Sequence, residues 1–124
     1  MQQPLALVLY EKLLPGSQLV NRLQDFNYRV QAISDASMLM ECAEQARPML
    51  VFADLESTRN NICSAIARLR QNPATKHLPV VAFGAEHAPE LQQAAQAAGV
   101  TLIVSEQAIL NHLAECLQQA LEVE

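Results

Sequence analysis

The sequence predicts an α/β fold: a doubly wound, five-stranded parallel sheet with five helices. Three observations carry this. Short apolar runs recur five times, each too short for a helix and continuous enough for a strand buried on both faces. A stretch with apolar residues at helical spacing follows every run. Gly, Pro or Asn stands at most of the points where a helix must begin or stop.

The first strand is expected at residues 5–10 (LALVLY). Pro15, Gly16 and Ser17 then open a helix through Phe26, with Leu19, Val20, Leu23 and Phe26 on one side. Asn27 falls where a helix ends in a left-handed residue, the conformation Asn tolerates best after Gly. Residues 28–33 form the second strand. Asp35 and Ser37 are N-cap candidates for a helix carrying Leu39, Met40, Ala43 and Ala46, which stops before Pro48.

The third strand, residues 49–53 (MLVFA), runs into Asp54. A polar stretch at 56–61 leads to a helix with Ile62, Ile66 and Leu69, broken at Asn72-Pro73. Residues 78–83 give the fourth strand. Pro89 suits the first turn of a fourth helix ending at Ala98, with Gly99 as its cap. Residues 100–104 give the fifth strand. Ser105 caps a last helix that carries Ile109, Leu110, Leu113, Cys116, Leu117 and Leu121.

At 124 residues the chain reads as one domain, residues 1–124, and 51% of it is hydrophobic. A domain this size buries roughly two thirds of its unfolded surface and needs no disulfide or metal to fold. Eight basic and thirteen acidic residues leave a net charge of -5. The basic residues are scattered, so nucleic acid and anionic membrane surfaces are not expected partners. Cys42, Cys63 and Cys116 are far apart and form no metal-ligand pattern with His. They read as small buried hydrophobes in a reducing compartment. His77, His87 and His112 have no partner at catalytic or ligand spacing. No run approaches a membrane span. A cytoplasmic protein is expected.

In an open parallel sheet, ligands and chemistry gather outside the carboxyl ends of the strands. There the sequence places Tyr10, Glu11 and Lys12, then Ser34 and Asp35, then residues 54–58, 84–87, and Ser105 with Glu106.

Three stretches resemble the CheY-like receiver domain of bacterial response regulators, itself a flavodoxin-like fold. Residues 48–54 (PMLVFAD) resemble the strand that ends in the phosphorylated aspartate. Residues 69–81 (LRQNPATKHLPVV) resemble the connection into the fourth strand, the most specific match. Ala94, Ala97, Ala98 and Gly99 resemble the helix ending before the fifth strand. The resemblance spans essentially the whole chain.

It implies a phosphoacceptor at Asp54 and a Mg²⁺ site shared with an acidic pair after the first strand. It also implies a hydroxyl donor after the fourth strand, a lysine after the fifth and an aromatic on the fifth. The chain departs from this set at most positions. The acidic pair falls on Tyr10 and Glu11, leaving one carboxylate. The hydroxyl position is Gly84, the lysine position is Ser105 or Glu106, and the aromatic falls near Leu102 or Ile103. Glu11 and Asp54 would hold Mg²⁺ weakly, if at all; no other cofactor is expected. Lys12 is a weak candidate for a replacement cation.

These losses imply a degenerate (pseudo-receiver) module of two-component signalling. It is expected to act by protein–protein interaction, with aspartyl phosphorylation impaired or absent and no enzymatic activity. The alternative is a divergent receiver still phosphorylated at Asp54. A flavin-binding protein is disfavoured, because Gly16, Gly84 and Gly99 are dispersed and form no phosphate loop. The partner, a sensor kinase or an output protein, is not specified by the sequence, and a homodimer is an option. The resemblance puts the contact face on the fourth helix, fifth strand and last helix, at Leu91, Gln92, Ala95, Ile109, His112 and Leu113.

Overall fold

Every one of the five apolar runs forms a strand: β1 Leu5–Leu9, β2 Arg29–Ile33, β3 Leu50–Asp54, β4 Val80–Phe83 and β5 Leu102–Val104. The helices are α1 Leu13–Asp25, α2 Leu39–Ala46, α3 Ile62–Gln71, α4 Pro89–Ala98, α5 Glu106–Asn111 and α6 Leu113–Glu122. A single 3₁₀ turn, Ala36–Met38, leads into α2. This computed structural model describes residues 4–10, 13–33, 35–55, 62–84 and 88–122. The expected polar stretch at 56–61 lies outside them.

The strands pair in parallel in the order β2-β1-β3-β4-β5. Because successive side chains point to opposite faces, the sheet separates two cores. Leu7 and Leu9 of β1 face Leu39 and Ala43 of α2, Ile66 and Leu69 of α3, and Ala95 of α4. Ala6 and Val8 face Leu19 and Leu23 of α1, Ile109 of α5, and Leu113 and Ala120 of α6. β3 and β4 are buried throughout, as their uninterrupted apolar sequences require. Each fully buried Leu or Phe contributes about 1.5–3 kcal/mol relative to an exposed one.

The caps predicted at Asn27, Gly99 and Ser105 form, whereas α2 starts after Met38 with no side-chain cap, so neither Asp35 nor Ser37 caps it. Asn27 adopts φ 67°, and Gly99 adopts φ 106° with its N–H donating to Ala95 O at 3.1 Å. The Ser105 hydroxyl accepts from the Ala108 N–H at 2.9 Å. Asp35 Oδ1 accepts from both the N–H and the hydroxyl of Ser37, at 3.0 and 2.8 Å, at the start of the 3₁₀ turn.

Several boundaries differ from expectation. α1 begins two residues before Pro15, which sits in the first turn, where an N–H has no intrahelical acceptor to lose. β5 begins at Leu102, because the Val100 N–H is spent on Ala95 O in the α4 cap. β4 begins at Val80, because the Leu78 N–H closes a turn on Thr75 O. β2 is an edge strand with Arg29, Gln31 and Ala32 exposed, so it is not buried on both faces. The expected single last helix is two, broken at His112 (φ -127°, ψ 36°). Ile109, Leu113, Cys116, Leu117 and Ala120 keep helical spacing across the break, so the pattern hides it. Asn111 and His112 are poor helix formers and stand where the break falls.

Candidate functional site at the carboxyl ends of the strands

The strand register assembles the predicted positions into one row. Leu9 pairs with Ala53, so Tyr10 and Asp54 follow side by side at the carboxyl ends of β1 and β3. Asp54 pairs with Phe83, and Phe83 with Val104. Gly84 and Ser105 are therefore the next residues after β4 and β5. Tyr10, Asp54, Gly84 and Ser105 thus line consecutive strand ends.

The four residues differ in what they offer. Asp54 is 3% exposed, a buried carboxylate among apolar strand residues. By strand alternation it shares the sheet face of Leu50 and Phe52. Tyr10, at the first position of the expected acidic pair, packs against the α1–α5–α6 core rather than presenting a carboxylate. Gly84 is buried at φ 86°, a left-handed backbone that disfavours Ser and strongly disfavours Thr. Ser105 has its hydroxyl oxygen engaged by the α5 N-terminus. Glu106 follows it in the first turn of α5, half-buried, where a carboxylate complements the helix dipole. Neither supplies a cation beside Asp54.

Glu11, Lys12, Glu56 and His87 lie outside the described residues. Among the described residues, no three His, Cys, Asp or Glu side chains gather as metal ligands. Mg²⁺ binds through one or two carboxylates with waters in octahedral geometry. The described part of the row contributes one carboxylate, Asp54, toward such a site; Glu11, the other expected ligand, lies outside it.

The expected contact face is only partly a surface. Leu91 and Gln92 are half-buried and His112 is exposed. Ala95, Ile109 and Leu113 are buried in the two cores. Their helical spacing is that of inward-facing positions, and assignment by resemblance did not separate the outer face of each helix from its inner one.

The sequence reading gave no role to Arg70, which holds the opposite end of the sheet together. Its Nε donates to Gly99 O at 2.7 Å, Nη1 to Leu78 O and Lys76 O at 2.6 and 2.8 Å, and Nη2 to Thr101 Oγ1 at 3.3 Å. Burial pushes its pKa below the ordinary arginine value. Thr75, also in the 69–81 stretch, is buried and donates its hydroxyl to Leu69 O at 2.8 Å. The sequence signal was the stretch itself, whose polar residues turn out to tie α3, the following loop and the start of β5 into one unit. A concavity of about 740 Å³ bordered by Gln24, Tyr28, Arg29 and Gln31 lies along the β2 edge, away from Asp54.

Solved structures superpose on this chain over nearly its full length. The receiver domain of the sensor histidine kinase PA1611 from Pseudomonas aeruginosa, which has a magnesium ion in its active-site cleft, aligns with a TM-score of 0.87. The match covers 98% of this chain and 100% of that one at 17% identity. This chain has the receiver fold. The chemotaxis protein CheY4 of Vibrio cholerae aligns with a TM-score of 0.84 at 20% identity, covering 96% of this chain and 99% of its own. A response regulator from Thermotoga maritima gives 0.80 at 17% identity, over 98% and 100%. No family model matches the sequence, and no curated protein matches it. Among the described residues, no helix of this receiver-fold chain is long and apolar enough to cross a membrane.

Proposed function

We propose that the chain is a receiver-like module of two-component signalling that works through protein–protein contact, with phosphorylation of Asp54 impaired or absent. One observation carries the reading: the strand-end row sets a single buried carboxylate beside a core-packed Tyr10, a left-handed Gly84 and a helix-capping Ser105. A phosphoryl group would add about -1.5 to -2 charge at neutral pH. Transfer to Asp54 then calls for a cation and hydrogen-bond donors aimed at the developing charge. The described residues of the row, Tyr10, Asp54, Gly84 and Ser105, include no lysine or arginine. Mg²⁺ held by Asp54 and Glu11 would be weak at most, and the chain has no catalytic activity of its own in this reading.

The test is incubation with a small phosphodonor, or with beryllofluoride, and Mg²⁺. Mass spectrometry should show little modification of Asp54, and amide NMR spectra little change. Stoichiometric modification with a structural response would overturn the reading.

The alternative, a divergent receiver that is still phosphorylated, draws on Asp54 itself, held in register with Phe83 at the carboxyl edge. In that case Asp54→Asn abolishes modification and the signalling output together. An Asp54→Asn variant that signals like the unaltered chain removes this alternative.

A further inference from the structure

A second concavity, of about 430 Å³, lies before the amino ends of β3 and β4, at the far end of the sheet from Asp54. Small-ligand pockets run from about 300 to 1,000 Å³, so this one suits a small molecule. One wall is the end of α2, with Ala43, Glu44, Arg47 and Pro48. The other is the connection from α3 to β4, with His77 and Leu78. Ala43, Pro48 and Leu78 are buried and give the cleft its apolar lining.

Arg47 ends α2 with a left-handed backbone, φ 50° and ψ 60°. Gly and Asn are the residues that suit such a position, as Gly99 and Asn27 do elsewhere in this chain. An arginine is strained there. Its N–H closes the helix on Ala43 O at 3.2 Å, a bond that glycine would make equally well. Its side chain is exposed and makes no hydrogen bond or ion pair among the described residues.

Glu44 precedes Arg47 by three residues, a spacing at which opposite charges on a helix commonly meet. These two do not pair. Glu44 Oε2 instead accepts from Asn72 Nδ2 at 2.6 Å, and the same amide nitrogen lies 3.2 Å from Met40 Sδ. A cation and an anion thus border one small apolar cleft without neutralising each other.

We propose that this cleft binds a free α-amino acid with an apolar side chain. The ligand carboxylate would take the Arg47 guanidinium, with the His77 ring N–H as a second donor. The ligand ammonium would take Glu44 and the last carbonyls of α2, where the helix dipole favours a cation. The side chain would lie against Ala43, Pro48 and Leu78. This class of ligand uses both charges. A simple anion meets Glu44 and the negative end of α2, and a simple amine meets Arg47. A peptide N-terminus lacks the carboxylate, and a peptide C-terminus lacks the ammonium. The site is independent of Asp54, which stands at the other end of β3.

The experiment titrates the common free amino acids one by one against the intact chain, read by amide chemical shifts. Leucine, isoleucine, valine or methionine should give saturable shifts centred on residues 43–47 and 74–78. The N-acetyl and carboxamide derivatives of the same amino acids, each lacking one charge, should bind roughly tenfold more weakly or worse. Arg47→Gly separates binding from folding. Glycine suits φ 50°, so this variant should unfold at the same temperature or higher. It should nevertheless lose affinity by roughly tenfold or more. Glu44→Gln keeps an acceptor for Asn72 and should weaken binding in the same way. The inference is overturned if no amino acid gives a saturable shift or if the footprint lies elsewhere. Equal binding of the derivatives overturns it too, as does an Arg47→Gly variant that binds like the unaltered chain.

Discussion

The Arg70 side chain closes directly on the backbone of Gly99. Its Nε donates to the Gly99 carbonyl at 2.7 Å, and a Cβ at residue 99 would lie 2.9 Å from Arg70 Cγ. Gly99 also holds φ 106°, which L-residues rarely adopt. Gly99→Ala should therefore destabilise the fold by about 1–3 kcal/mol, through backbone strain and the clash together. Arg70→Ala should cost about 2–3 kcal/mol, because it leaves partly buried carbonyls of Leu78 and Gly99 without donors. In the double variant the clash is gone, so the two costs should sum to more than the measured loss. Urea denaturation of the two single variants and the double variant checks this.

Gly84 occupies the position where the receiver resemblance calls for a hydroxyl residue. At φ 86° a β-branched side chain is strained. Gly84→Thr should lower stability by roughly 1–2 kcal/mol and should not restore modification of Asp54. Thermal unfolding and the phosphodonor assay report the two parts separately. A stable Gly84→Thr protein that becomes modified would mean that this backbone relaxes at no cost.

Ser105 follows β5 and begins α5, its hydroxyl accepting from the Ala108 N–H at 2.9 Å. Ser105→Ala should cost about 1 kcal/mol and speed exchange of the Ala108 amide. Ser105→Lys should lose the same cap while placing a cation at the end of β5. It therefore separates the two roles: stability should fall as in the alanine variant, whereas any gain in Asp54 modification would come from charge. Hydrogen exchange by NMR, run beside the phosphodonor assay, measures both.

The Asp35 carboxylate is held below its ordinary pKa, first by the Ser37 hydroxyl and then by the Ser37 N–H. Its folded-state value thus lies below its unfolded one. The stability it contributes is present above the unfolded carboxylate pKa, near 4, and is lost as pH falls through the folded value. Ser37→Ala should raise the Asp35 pKa toward the ordinary range, as read by a carboxyl ¹³C titration. An unchanged titration would show that the hydroxyl contributes nothing.

Much of this architecture was legible in the sequence, and the reasons are local. LALVL and LVFAD are continuous apolar runs that only a doubly covered strand can use. Asn27, Gly99 and Ser105 marked helix ends because backbone sign and capping chemistry restrict those positions to few residue types. Asp54 was placed correctly at the carboxyl end of β3, and register did the rest. The break at His112 was not legible, because the apolar spacing runs through it without interruption. The burial of Ala95, Ile109 and Leu113 could have been read from that same spacing, which marks them as inward. The role of Arg70 was hidden for a different reason: three of its four acceptors, at Lys76, Leu78 and Gly99, are main-chain carbonyls, and a carbonyl leaves no trace in residue type.

Leu7 and Val8 are neighbours in the chain, yet they belong to different interiors. The sheet between them acts as a firebreak. A side chain lost or enlarged beside Leu39 is felt beside Leu113 only through the backbone of the strands, so substitutions on the two sides should be close to independent. Each half of the interior can then drift on its own timetable, repacking without waiting for the other. A sequence partitioned in this way can travel far from its structural counterparts, here to 17–20% identity, while the strands keep the order β2-β1-β3-β4-β5.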